Sequence, residues 1–178
     1  NPFGKQSTSA FQTIIVSFLC IILVGTLLLL LPFATKEGNT TTFSDALFTS
    51  VSATCVTGLI VKDTATHWTV FGQAVILLLI QIGGMGVITI SVGLVGLTGK
   101  KIGLRERSIM QESISAPQLG GIVRFTSFII RTVLVIELIG AILLLPVFCK
   151  EFGAVGIWYA IFHSVSAFCN AGFDLMGV

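Results

Sequence analysis

Charged side chains are scarce in this sequence. Only 10% of its 178 residues are Asp, Glu, Lys or Arg, whereas 54% are hydrophobic. A soluble domain carries about 25% charged residues, so this composition excludes an ordinary soluble protein and predicts an integral membrane protein. The formal net charge is only +2, which gives no indication of a nucleic-acid-binding protein.

Cysteine and histidine are also few, and their spacing excludes the sites that they commonly build. The four cysteines are Cys20, Cys55, Cys149 and Cys169. No pair of them has the CxxC spacing typical of metal ligands, and we interpret them as buried free thiols rather than as a disulfide framework. The two histidines, His67 and His163, lie at no spacing that suggests a dyad with a cysteine. The sequence therefore predicts neither catalytic residues nor a cofactor bound by this chain.

Three apolar runs are long enough to cross a bilayer, which requires about 20 residues. They extend over about 11–33, 70–97 and 125–148. The second run contains five glycines, Gly83, Gly84, Gly86, Gly93 and Gly96. Such glycines favour close packing against another backbone, with a gating hinge as the alternative. Glu137 lies deep in the third run and is either a functional ionisable group or a hydrogen-bond partner of a neighbouring helix.

A basic segment, 99–123, separates the second and third runs. Its cations are Lys100, Lys101, Arg105 and Arg107. The positive-inside rule places this segment in the cytoplasm, and the N-terminus with it. Anionic lipid head groups and a cytosolic partner are both candidate ligands for the segment.

Two shorter apolar segments, 43–59 and 157–173, are typical of re-entrant pore loops. The first reads FSDALFTSVSATCVTGL, with a helix-capping signal at Ser44-Asp45 and a glycine near its end. About 11 helical residues rise roughly 16 Å, which is half of a hydrocarbon core. Irregular backbone at that depth requires a surrounding of protein or a water-filled cavity. We therefore expect a half-length helix that ends beside a pore.

The chain matches itself when it is shifted by 114 residues without a gap. Leu29-Leu30-Leu31-Pro32 falls on Leu143-Leu144-Leu145-Pro146, and Ser50-Val51-Ser52-Ala53 falls on Ser164-Val165-Ser166-Ala167. Both copies keep the order of span, loop, half-helix and glycine, which indicates parallel repeats of one unit. We therefore predict a first repeat at 1–98, a cytoplasmic linker at 99–123 and a second repeat at 124–178 without its return span. Two pore loops do not close a carbonyl-ring filter, which needs four, so further repeats are expected as partners.

Three motifs carry a resemblance to a known family. SVSATCVTGL, SVSAFCNAGFDL and LIQIGGMGVIT resemble the membrane subunit of the Ktr/Trk/HKT superfamily of potassium transporters, and the Ktr branch in particular. The resemblance implies an all-α integral membrane fold with potassium-channel-like span–pore-loop–span repeats, of which this chain supplies about one and two-thirds out of four. It also implies a homodimer, seated on a cytosolic regulatory ring that binds nucleotides.

The predicted site is a potassium filter made of backbone carbonyls, in which the side chains vary while the backbone shape does not. Its residues are Val56, Thr57 and Gly58 in one copy, and Asn170, Ala171 and Gly172 in the other. The residues predicted to flank it are Cys55, Leu59, Cys169 and Phe173, the two cysteines as small hydrophobes packed behind the filter. Asp63 and Asp174 are candidates for a negative outer mouth, or ordinary loop acids.

The half-helices add electrostatics to this filter, because each C-terminal end carries roughly half a negative charge. Such ends favour a cation at the middle of the membrane. Two alternatives belong to other classes of protein: a secondary transporter that binds a small solute at broken helices, and a membrane enzyme that uses Cys55 or Cys169.

Overall fold

The computed structural model describes residues 10–86 and 122–177. Within these ranges the structure is helical, and the only strand-like pairing is an isolated bridge between Thr35 and Trp68. The α-helices are α1 (Ala10–Leu29), α2 (Phe43–Thr54), α3 (Thr64–His67), α4 (Val70–Met85), α5 (Ile122–Phe152) and α6 (Gly156–Phe168). Short 3-10 turns cover Pro32–Ala34 and Gly153–Val155. The basic linker up to residue 121, the N-terminal residues 1–9 and the end of the second span, with Gly93 and Gly96, lie outside the described residues.

The first span ends earlier than its apolar sequence does. Helix α1 stops at Leu29, and Pro32 opens a 3-10 turn that ends at Ala34. The carbonyl oxygen of Ala34 then accepts a hydrogen bond from the Thr69 amide at 3.0 Å, just before α4 begins. The loop between α1 and α2 is therefore attached to the start of the return helix.

Helix α2 begins with a reciprocal cap. Its N-cap is Thr42, two residues before the capping signal expected at Ser44-Asp45. The Asp45 amide donates to Thr42 Oγ1, and the Thr42 amide donates to Asp45 Oδ2, both at 3.2 Å. This capping box satisfies two amides that the first turn leaves free. Helix α6 has no side-chain cap and instead follows directly from the preceding 3-10 turn.

Helix α5 differs from α1 in one important respect. It runs for 31 residues and continues through Pro146, although the matching Pro32 lies beyond the end of α1. By length and apolar composition, the helical stretch Phe125–Phe168 is long enough to cross a membrane. Ile14–Leu29 and Val70–Met85 are shorter apolar helices.

The two half-helices pack on their spans through the same contact. Ser50 Oγ of α2 donates to the Ile22 carbonyl at 2.8 Å, and Ser164 Oγ of α6 donates to the Glu137 carbonyl at 2.6 Å. Each serine also lies over a glycine of the span, since any side chain at Gly25 or Gly140 would collide with it. The serines stand 114 positions apart and the glycines 115, so the two packing contacts differ by one residue in register.

Helix α4 lies between the two units and contributes most to the core. Val75, Ile76, Leu79 and Ile80 are buried and pack in one cluster with residues of α1, α2 and α6. The segment after α6 joins the same cluster, because Ala171, Phe173 and Leu175 are also buried in it. The residues that follow each half-helix are therefore held against a common core.

Candidate filter: two left-handed turns that meet

The first half-helix ends in a Schellman motif. Beyond Thr54, the Thr57 amide donates to the Ser52 carbonyl at 3.0 Å and the Val56 amide donates to the Ala53 carbonyl at 3.3 Å. In this motif the residue after the C-cap has a left-handed conformation, usually supplied by glycine. Here that residue is Val56, with φ of 56°. A β-branched residue in this region is strained, and such strain is concentrated at functional sites.

The second half-helix ends in the same way. The Ala171 amide donates to the Ser166 carbonyl at 2.8 Å, and the Asn170 amide donates to the Ala167 carbonyl at 3.0 Å. Asn170 takes the left-handed position, also with φ of 56°. Two residues later Gly172 has φ of 72°, which matches the 73° of Gly58. Both copies therefore repeat one backbone shape on different side chains, Val-Thr-Gly and Asn-Ala-Gly.

The two turns lie against each other at their glycines. A methyl group built on Gly58 would lie 2.5 Å from the Ala171 carbonyl oxygen and 3.2 Å from the Gly172 Cα. One built on Gly172 would lie 3.5 Å from the Gly58 Cα, which is ordinary contact. Glycine at position 58 is thus required both by its positive φ and by the backbone of the other copy.

The return helix α4 lies behind both turns. Gly83 is packed on the carbonyl group of Thr54, where any side chain would collide with the end of α2. A methyl group on Gly84 would lie 2.6 Å from Cys169 Sγ, at the end of α6. These contacts are the close packing expected of glycines in this span, while Gly86, with φ of 80°, ends the helix.

The residues predicted to flank the filter differ between the copies. All four cysteines are free, but Cys55 and Cys20 are exposed in the described chain and Cys169 is half-buried. No described neighbour covers Cys20 and Cys55, so the expectation of a buried thiol stays a prediction for these two. Leu59 is 61% exposed and Phe173 only 2% exposed. The second copy is the more enclosed of the two.

Both candidate mouth acids make local hydrogen bonds. Asp63 Oδ1 accepts from the Thr66 amide at 2.7 Å and from its hydroxyl at 2.6 Å, which caps α3. Asp174 Oδ1 accepts from the Met176 amide at 2.9 Å and its side chain is exposed. Each acid thus shapes its own loop, and no described contact joins the two.

A residue that the sequence reasoning did not place at the site is His163. Its Nε2 accepts a hydrogen bond from the Leu175 amide at 3.2 Å. Its Nδ1 lies 2.8 Å from the Tyr159 carbonyl oxygen and is therefore the nitrogen that carries the proton. Ser166 Oγ also donates to the Phe173 carbonyl at 2.6 Å. These two side chains of α6 hold the segment after Gly172. The sequence carried no signal for this role beyond a histidine on an apolar half-helix.

A second polar contact joins α4 and α5. Gln81 Nε2 donates to both carboxyl oxygens of Glu137, at 2.9 and 3.1 Å, and Glu137 is 5% exposed. Of the two interpretations of Glu137, the structure contains the hydrogen bond to a neighbouring helix. Among the described residues there is no group of His, Cys, Asp and Glu side chains that could hold a metal ion.

The short helix α3 ends at a buried histidine. His67 is 6% exposed, and its Nε2 lies 2.9 Å from Thr41 Oγ1. Burial lowers the pKa of His67 below its usual value of 6.5, and the nearby Lys62 lowers it further, while Asp45 opposes them. The imidazole is therefore neutral at neutral pH.

The described residues form an all-helical structure, as an all-α membrane transporter would. Residues 4–177 match the family model described as TrkH, cation transport protein, so the chain belongs to this family. The resemblance noted in the motifs is thereby confirmed, and the family is one of cation transporters rather than of enzymes.

Among curated relatives, the chain is similar to the potassium/sodium uptake protein NtpJ of Enterococcus hirae, at 44% identity over 97% of this chain and 39% of that protein. It is also similar to the Ktr system potassium uptake protein B of Bacillus subtilis, at 44% identity over 92% of this chain and 37% of that protein. The corresponding protein of Vibrio alginolyticus is 40% identical over 98% of this chain and 39% of its own length. The chain thus spans about two fifths of the length of these relatives.

Proposed function

We propose that this chain forms part of the pore of a potassium uptake transporter. The observation that carries the proposal is the pair of matched turns, in which Gly58 and Gly172 share one left-handed conformation and lie in contact. Names of relatives support the substrate, since those proteins take up potassium, or potassium and sodium.

The filter in this proposal consists of the backbone carbonyls of residues 56–58 and 170–172. These oxygens replace the hydration shell of a potassium ion as it passes. Such a filter tolerates side chains as different as those of Thr57 and Ala171, provided that each of the two segments makes the same turn. The C-terminal ends of α2 and α6 add partial negative charge close to the ion path.

The remaining partners follow from the same proposal. A ring of carbonyls needs four such segments, so two further pore loops complete the filter. The assembly is a multi-pass protein of the cell membrane with a cytoplasmic N-terminus, and a homodimer seated on a nucleotide-binding regulatory ring. The basic linker, 99–123, faces lipid head groups or that ring.

The direct test is the position of bound ions in the complete transporter. Rubidium or thallium soaked into the protein should give density in line on the pore axis, beside Gly58 and Gly172. A single pocket of solute density between α2 and α6, away from any axial row, would instead favour a secondary transporter that uses broken helices.

A growth test addresses the function in cells. Gly58→Asp and Gly172→Asp should each abolish potassium-dependent growth rescue while the protein still inserts in the membrane. Gly38→Asp is a matched control, because Gly38 also has a positive φ, of 85°, but no atom lies within 4 Å of its side-chain position. Normal potassium uptake by both filter variants would refute the assignment.

A further inference from the structure

The contact between Gln81 and Glu137 joins the two repeats. Gln81 belongs to α4, the return helix of the first unit, and Glu137 to α5, the first helix of the second. A buried carboxyl group without a donor is costly, and more so in an apolar surrounding. The pair therefore fixes where α4 lies along α5.

Helix α4 transmits that position to both half-helices. Two residues after Gln81, Gly83 contacts the Thr54 carbonyl at the end of α2, and Gly84 contacts Cys169 at the end of α6. Glycine has no side chain that could change its rotamer to absorb a movement. A shift of α4 therefore presses directly on the backbone of α2 or releases it. The two turns that meet at Gly58 are thus adjusted by one helix.

Glu137 also holds α6 on its other side. Its backbone carbonyl accepts the hydrogen bond from Ser164 Oγ, at 2.6 Å, while its carboxyl group accepts from Gln81. One residue thereby connects the second half-helix to the helix that lies behind the first.

We propose that Glu137 is a positioning residue that, through Gln81, sets the separation of the two filter segments and so the ion specificity of the pore. The inference rests on the proposed function of the two turns. Carbonyl spacing and flexibility decide how well a filter tells potassium from sodium, and a site held to within about 0.5 Å is needed for such discrimination.

The test compares four variants with one control variant in the complete transporter. Glu137→Leu and Gln81→Leu each remove one partner, whereas Glu137→Gln keeps an acceptor for the Gln81 amide. The exchange Gln81→Glu with Glu137→Gln restores the pair with its roles reversed. Gln73→Leu is the control, since Gln73 makes the other bond of α4 to the second unit, from Trp158 Nε1 at 2.9 Å, three turns from the filter end of the helix.

The readout is the ratio of rubidium to sodium uptake in proteoliposomes. We expect this ratio to fall in Glu137→Leu and Gln81→Leu, because each variant leaves the remaining partner of a buried hydrogen bond unsatisfied and releases α4 from its position. It should stay near the parent value in Glu137→Gln, in the exchange variant and in Gln73→Leu. A purely structural role would lower the amount of folded protein without moving the ratio, and that result would overturn the proposal.

A structure of the Glu137→Leu transporter by electron cryomicroscopy gives an answer independent of transport. The distance from the Gly58 Cα to the Ala171 carbonyl oxygen should change relative to the parent and to Gln73→Leu. An unchanged distance would overturn the inference even if uptake were lost. If the parent protein carried no rubidium, the proposed function would fail, whereas the link from Glu137 to the turns would still be decided by this distance.

Discussion

Two residues bear the strain of the candidate filter, Val56 and Asn170. A left-handed conformation costs an L-residue about 1–2 kcal/mol, and asparagine tolerates it better than valine because its short polar side chain can hydrogen-bond locally, whereas valine is branched at Cβ. Glycine would remove this cost at both positions. The strained turn is retained with two different side chains, which is consistent with a demand on the backbone and not on the side chain.

The second turn permits a clean measurement of that strain, because the Asn170 side chain is exposed and Asn170→Val would lose no described contact. We expect Asn170→Val to lower the free energy of unfolding by about 1 kcal/mol, while Asn170→Gly leaves it unchanged or raises it slightly. Thermal unfolding of the detergent-purified protein measures both. Equal stability of the two variants would mean that the left-handed turn is not formed.

The two glycines should differ in their tolerance of a methyl group. Gly58→Ala adds a collision with the Ala171 carbonyl to the strain of its positive φ, whereas Gly172→Ala adds strain alone. Rubidium uptake per inserted protein should therefore fall most in Gly58→Ala, less in Gly172→Ala and little in Gly38→Ala, whose surroundings are open. An equal loss at positions 38 and 58 would show that strain, and not contact between the turns, decides the outcome.

The sequence indicated where the turns lie but not how they are made. Glycine at 58 and 172 is a readable signal of positive φ, but valine at 56 is not, because the hydrogen bonds of the Schellman motif override its preference. Asp63, for which the sequence left both a negative mouth and an ordinary loop acid open, caps α3, and its role at the mouth stays a prediction. Both hydrogen-bond patterns are local, since Asp63 and Thr66 are three residues apart and Thr57 and Ser52 five, but neither can be placed until the ends of α2 and α3 are known.

At the scale of elements, the start of α2 depends on the loop that precedes it. The loop from Thr35 to Thr42 is held against α3, where Thr41 Oγ1 meets His67 Nε2 and the Lys36 amide donates to the His67 carbonyl at 3.0 Å. The same loop ends in the capping box of α2. The start of the first half-helix is thus tied to a buried, neutral histidine.

This arrangement predicts a loss of stability in acid. Because the pKa of His67 is lower in the folded protein than its ordinary 6.5, the unfolded chain takes up a proton first as the pH falls. Stability is therefore full above about pH 6.5 and declines below it until the folded pKa is reached. The melting temperature of the parent should fall between pH 7 and pH 5 more steeply than that of His67→Gln, and parallel curves would contradict the prediction.

For the molecule as a whole, the predicted 114-residue repeat and the packing contacts of the structure differ in register at one point. The shift of 114 describes the serines of α2 and α6, but Gly25 and Gly140 are 115 positions apart. The helices themselves also differ between the units. Helix α5 continues through Pro146, whereas α1 ends before the matching Pro32. The two units therefore share a turn geometry without sharing every packing contact.

The junction between the units allows a final prediction, because the two glycines of α4 meet different kinds of atoms. In Gly84→Ala the added methyl group meets the sulfur of the Cys169 side chain. Cys169→Ala should therefore restore part of the stability that Gly84→Ala removes. In Gly83→Ala the added methyl group meets the Thr54 backbone. Thr54→Ala should therefore restore none of the stability that Gly83→Ala removes. Coupling between residues in contact is about 0.5–3 kcal/mol, and a double-mutant cycle on thermal unfolding resolves it. Equal rescue in the two pairs would mean that α4 does not lie against the ends of both half-helices, which would remove the structural link between the two turns.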